Sequence, residues 1–136
     1  MSAKTFLDTN IVVYLYSGDE PEKRAAALAL IEQNNTVIST QVLSELANTL
    51  SRKFGLTFDV VAQAVAEVRD ACTVVPVMPE TITQALALAQ KYRYSYYDSL
   101  ILAAALSTGC ETLSTEDMQH GQVIEGALTI RNPFAK

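Results

Sequence analysis

The apolar positions of this chain fall into short blocks with two kinds of spacing. Thr5-Phe6-Leu7, Thr36–Ser39, Thr73–Val77, Thr112–Ser114 and Leu128–Ile130 are brief β-rich runs bounded by polar or turn residues, and each predicts a strand. The stretches between them carry helical spacing. Ile11–Tyr16 predicts a short helix. Pro21 suits the first position of a helix over Glu22–Gln33, with Ala25, Leu28, Ala29 and Glu32 at helical spacing and Asn34-Asn35 as its stop. Thr40–Lys53 places Val42, Leu43, Leu46, Ala47 and Leu50 toward a core. After Gly55, a helix capped by Thr57 or Asp59 runs to about Asp70 on Val60, Val61, Ala64, Val65 and Val68. Pro79 opens another to Tyr92, with Ile82, Leu86, Leu88 and Ala89 as its apolar side. Tyr97–Thr108 is the most apolar helix, and Gly109 fits its C-terminal cap. Strands alternating with helices through short connections predict an α/β fold with a parallel sheet.

Composition narrows the class. The 136 residues suit a single domain over 1–136, large enough for one core without staples. Leu100–Leu106, the longest apolar run, falls well short of the ~20 residues of a membrane span. The N-terminus lacks the basic-then-apolar layout of a signal peptide, so a cytoplasmic protein with no membrane partner is expected. Cys72 and Cys110 have no CxxC spacing and read as two reduced thiols. The net charge of −5 argues against a simple basic nucleic-acid-binding footprint. It does not exclude a nucleic-acid enzyme, because divalent cations shared by carboxylates would reverse the local field.

The acids carry the chemistry. In an open parallel sheet, sites form outside the carboxyl ends of the strands. Asp8 ends the first strand, where an ionised carboxylate is expensive unless a cation or hydrogen bonds meet it. Glu45 lies in the first turns of the helix after strand two, Asp98 starts the most apolar helix, and Asp117 follows the Thr112–Ser114 strand. All four are placed at one edge of the sheet. Singly each has an ordinary reading as a solvated or dipole-facing acid; together they describe a pocket for a hard cation such as Mg²⁺ or Mn²⁺, suited to phosphodiester cleavage.

Leu7-Asp8-Thr9-Asn10, Glu45 within an early helix, Tyr97-Asp98-Ser99 and Leu113-Ser114-Thr115-Glu116-Asp117 resemble the motifs of PIN-domain nucleases, and the chain's length and layout resemble the VapC-type toxins of toxin–antitoxin pairs. The resemblance spans essentially the whole chain. It implies a three-layer α/β/α domain with a parallel sheet of about five strands. It also implies a Mg²⁺- or Mn²⁺-dependent endoribonuclease, commonly a homodimer, held by a cognate antitoxin. By that match Asp8, Glu45, Asp98 and Asp117 bind the metal, with Asn10, Ser99 and Thr115 as polar supports. Where the family often has a Phe after the fourth acid, this chain has Met118-Gln119-His120-Gly121, which leaves Glu116 a rival to Asp117; Thr115-x-Asp117 favours the latter.

Other features have weaker claims. His120, the only histidine, reads as a solvated loop residue. Lys91-Tyr92-Arg93-Tyr94-Ser95-Tyr96-Tyr97 joins cations and aromatics just before Asp98. It either contacts RNA, through Lys91 and Arg93 first, or packs alternate rings on the core or a dimer face. Arg52-Lys53 closes the Glu45 helix and either reaches a phosphate or faces that helix's C-terminal dipole. Tyr14, Tyr16 and the Glu22–Gln33 helix serve a dimer face, an antitoxin groove or the core. Two phosphoryl-handling alternatives to a nuclease fit the residues poorly. A phosphatase of the haloacid-dehalogenase kind wants an acid where Asn10 stands, and a receiver domain wants a late Lys after a strand, where Leu113-Ser114-Thr115 supplies none. A PIN-like domain that binds RNA or protein without cutting is the other reading.

Overall fold

The computed structural model describes residues 3–135. Its elements in chain order are β1 (Thr5–Leu7), α1 (Thr9–Val13) continued by a 3₁₀ turn over Tyr14–Tyr16, and α2 (Pro21–Glu32). Then come β2 (Thr36–Ser39), α3 (Thr40–Arg52), α4 (Phe58–Ala71), β3 (Thr73–Val75) and α5 (Pro79–Tyr92). The chain ends with α6 (Tyr96–Ser107), β4 (Thr112–Ser114), β5 (Val123–Ile124) and β6 (Leu128–Arg131). The sheet order is β3-β2-β1-β4-β6-β5, within a three-layer α/β/α arrangement. The first five of these strands pair in parallel, as expected; β5 adds a short antiparallel edge.

β1 sits mid-sheet. The chain steps from it to β2 and β3 on one side and returns to β4 and β6 on the other, so the order reverses between β1 and β4. Leu7 pairs with Ser114, and the ladder extends one residue further, where Asp8 N–H donates to Ser114 C=O at 3.0 Å. The crevice at this reversal is where an α/β sheet places ligands. All four residues of β2 are buried, as a central parallel strand requires. α6 buries every residue from Ser99 to Ala105 and packs on α5, β2 and β4.

Four expectations need correction, and the first is Val60 of α4, which is exposed while Val61, Ala64 and Val68 of the same helix are buried. β3 stops at Val75, because Pro76 has no N–H to donate to a ladder. α2 turns Ala25, Leu28 and Ala29 outward and buries Ala27, with Leu30 and Ile31 half-buried. α5 likewise exposes Ile82 and Leu86 and buries Thr81, Ala85 and Leu88. In both helices the apolar run is unbroken, Ala25–Ile31 and Ala85–Ala89, so spacing alone gives no phase. The two-residue β5 carries too little pattern to be seen; its clue is Glu125-Gly126, both at positive φ (51° and 65°), a hairpin signature. No helix among the described residues is long and apolar enough to cross a membrane.

The rotation of α5 is checked by two truncations on the same helix. Leu88, 3 % exposed, should lose about 2–5 kcal/mol of urea-unfolding stability on Leu88→Ala. Leu86, 51 % exposed, should lose under about 1 kcal/mol on Leu86→Ala.

Candidate active site

The crevice between β1 and β4 opens into a cavity of about 970 Å³ whose wall includes Asp8, Asn10, Glu45, Asp98 and Asp117. Asp8 is its floor and is 5 % exposed. It serves as N-cap of α1: Thr9 N–H donates to its Oδ1 at 2.7 Å, satisfying one orphan donor of the helix. Its Oδ2 accepts from the Thr115 hydroxyl at 2.8 Å, and Thr115 is itself fully buried at the end of β4.

Two of the remaining acids, Glu45 and Asp117, are tied to the opening turn. The Thr9 hydroxyl donates to Glu45 Oε1 at 2.6 Å, joining α1 to α3. The Asn10 amide donates to Asp117 Oδ2 at 2.8 Å and lies 3.2 Å from Thr115 Oγ1 and 3.4 Å from Asp8 Oδ2. Asp117 N–H donates to Thr115 Oγ1 at 3.1 Å. Asp98 stands in the first turn of α6, with Ser95 as N-cap accepting from Asp98 N–H at 3.1 Å. From α3, Gln41 donates to Tyr97 C=O at 3.1 Å, fixing the α6 start against the helix that bears Glu45.

Electrostatics follow from this crowding. Burial, then the nearby charges of Asp98 and Glu45, push Asp8 up to about 7 from its ordinary 3.8, against the lowering effect of Thr115 and the Thr9 amide. Asp98 is also raised, by burial first and then by Asp117 and Glu45. Among the described residues no three His, Cys, Asp or Glu side chains form a closed ligating group. The donor set is nevertheless carboxylate, amide and hydroxyl oxygen, the chemistry that suits Mg²⁺ or Mn²⁺ rather than a soft metal. A cation would also relieve the repulsion that raises Asp8 and Asp98.

Other expected site residues lie elsewhere. Ser99 is fully buried behind Asp98, its hydroxyl without a partner, and does not reach the cavity wall. Lys91 pairs with Glu125 at 2.6 Å. Arg93 is the exposed left-handed cap of α5 (φ 68°), and Arg52 is exposed at the end of α3; none of these three cations lines the cavity. The tyrosine run is divided. Tyr92 OH donates to Glu125, Tyr94 OH donates to Gln122 and accepts from Gln119 N–H, while Tyr97 is 64 % exposed on the cavity rim. Tyr16 is tied by its hydroxyl to α4, donating to Ala64 C=O and Glu67. His120 Nδ1 accepts from Asn132 N–H at 2.9 Å. Lys53, grouped with Arg52 in the sequence as a phosphate contact or dipole partner, is the one cation on the cavity wall among the described residues. It caps the C-terminus of α3, the helix bearing Glu45, directly after Arg52.

The PIN domain profile matches residues 5–124. The chain belongs to the PIN domain family. This PIN domain is also similar to solved structures. A toxin–antitoxin complex from Klebsiella pneumoniae shares 22 % identity over 96 % of this chain and 98 % of that one, with TM-score 0.73. VapC20 of Mycobacterium tuberculosis, a sarcin-ricin-loop-cleaving toxin, shares 24 % over 81 % and 87 %, with TM-score 0.66. VapBC2 from Rickettsia felis, bound to a DNA fragment of its promoter, shares 21 % over 94 % and 98 %, with TM-score 0.69. A search of curated proteins gave no match.

The raised Asp8 fixes the sign of a pH effect. The native state keeps the Asp8 proton up to about pH 7, whereas the unfolded chain releases it near 3.8. Between those values the native state binds more protons, so its stability falls as pH rises. Without added metal, Asp8→Asn should therefore gain in melting temperature relative to wild type from pH 4 to pH 8. A constant difference across that range would mean Asp8 is not desolvated.

Proposed function

We propose that this PIN domain is a divalent-metal-dependent endoribonuclease, the toxin of a toxin–antitoxin pair. The observation that carries the reading is the convergence of Asp8, Glu45, Asp98 and Asp117 on one cavity at the sheet's reversal point, two of them held above their ordinary pKa by burial and mutual repulsion. Asp8, Glu45, Asp98 and Asp117 would hold Mg²⁺ or Mn²⁺. Such a cation, when bound, neutralises phosphodiester charge and makes water more acidic. The chain's own part is orientation. Thr115 and the Thr9 amide hold Asp8, the Thr9 hydroxyl aims Glu45, Asn10 aims Asp117, and the α6 N-terminus sets Asp98.

For the substrate, the free surfaces on the rim point to Lys53 as a phosphate contact and Tyr97 as a stacking platform, in place of Lys91, Arg93 and Arg52. An antitoxin partner is supported by the toxin–antitoxin assemblies among the similar structures. A homodimer in the cytoplasm completes the proposal. The second reading, a PIN domain that binds RNA without cutting it, draws on one observation: the carboxylates share a cavity but no three of them form a closed ligating group.

Purified protein incubated with structured RNA separates the two. Cleavage is expected with Mg²⁺ or Mn²⁺ and absent with chelator, and Asp8→Asn and Asp98→Asn should each lose about 100-fold or more. Binding without cleavage at millimolar metal would favour the second reading. Lys53→Met should weaken RNA binding and lower the slope of log affinity against log salt by about 0.7, the loss of one phosphate contact to a single strand.

A further inference from the structure

Glu116 also lines the cavity, beside Asp117, yet its carboxylate is drawn aside. Lys23 on α2 donates to Glu116 Oε2 at 3.2 Å and to Tyr14 OH at 3.1 Å, and Tyr14 OH donates to Glu116 Oε1. The Lys23 ammonium lies 4.9 Å from the Tyr14 ring centroid and 5.2 Å from that of Phe134. Phe134 meets Tyr14 edge-on at 5.4 Å, and its own N–H donates to Asn132 Oδ1. Asn132 in turn is bound to His120. The segment after β6 thus closes the fourth side of a seat for Lys23. Asn10 reads the result, since its Oδ1 lies 3.4 Å from Glu116 N while its amide holds Asp117.

We propose that Lys23, seated by Tyr14 and Phe134, is a positioning residue that keeps Glu116 out of the metal site so that Asp117 alone faces it. The inference rests on the nuclease reading above. Glu116 and Asp117 are neighbours on one turn, and both line the cavity. Two donors at Glu116, Tyr14 and the cationic Lys23, settle which acid turns to the centre. A freed Glu116 would bring a fifth carboxylate toward the ion, binding it more tightly and drawing it off the position that Asp8, Glu45 and Asp98 define.

The test uses the full chain with Lys23→Met, Lys23→Arg and the double variant Lys23→Met/Glu116→Gln, read by steady-state RNA cleavage and by Mn²⁺ calorimetry. Lys23→Met should lower kcat about tenfold with KM within about twofold, and should tighten Mn²⁺ binding severalfold. Lys23→Arg should stay near wild type. The double variant should regain most of kcat and the wild-type Mn²⁺ affinity, because the competing charge is gone. A raised KM with unchanged kcat would instead make Lys23 an RNA contact, and failure of Glu116→Gln to rescue would reduce Lys23 to a structural tie; either overturns the proposal. If Lys23→Met does not fold, Phe134→Ala loosens the same seat and should show the same rescuable loss. If wild type cuts no RNA, the nuclease reading fails by itself. The Mn²⁺ titration still judges the clamp, and an unchanged or weaker isotherm in Lys23→Met overturns it.

Discussion

The fold is built to keep one carboxylate almost out of water. Asp8 stands at the end of the central strand with 5 % exposure, and an unpaired charge there would be among the most destabilising groups a domain of this size could carry. Its neighbours make the placement tolerable: a helix N-terminus begins on it, a buried hydroxyl from β4 points at it, and an amide two residues later leans toward it. Each of those groups also fixes a second acid. Holding Asp8 and assembling the cavity are therefore one structural problem with one solution. A change at Thr115 or Asn10 should disturb two carboxylates at once.

Much of this was legible because strand ends are legible. β1, β2 and β4 are short, β-rich and flanked by polar residues, so Asp8 and the Thr115–Asp117 turn could be assigned to the sheet's carboxyl edge from spacing alone. The helices that carry Glu45 and Asp98 follow from the same pattern. Rotation was the hidden variable. In α2 the unbroken run from Ala25 to Ile31 conceals which face is buried, and only when Ala27 is known to point inward does Lys23, one turn earlier, turn toward Tyr14 and Glu116. That contact joins residues 93 positions apart, and no local signal encodes it. The tyrosine run shows the same limit: identical side chains at 92, 94 and 97 have different fates because a loop from the far end of the chain claims the first two.

Charge in this protein is sorted rather than balanced. The acids outnumber the bases 15 to 10, and the cavity gathers several of the acids with a single lysine on its wall among the described residues. Two lysines elsewhere are engaged with acids of their own, Lys91 with Glu125 and Lys23 with Glu116. Neither of these two lysines is free to neutralise Asp8, Glu45, Asp98 or Asp117.

The sheet order carries a consequence for synthesis. One of the two flanking partners of β1 is β4, more than a hundred residues later in the chain. Until β4 leaves the ribosome, Asp8 lacks the hydroxyl that holds it, Asn10 lacks Asp117, and the central strand has an open edge. Parallel pairings of such long separation form late in folding. An interrupted translation product ending before β4 would therefore contain three of the four acids and no cavity to gather them, so the ability to form the site arrives only with β4 and the turn after it.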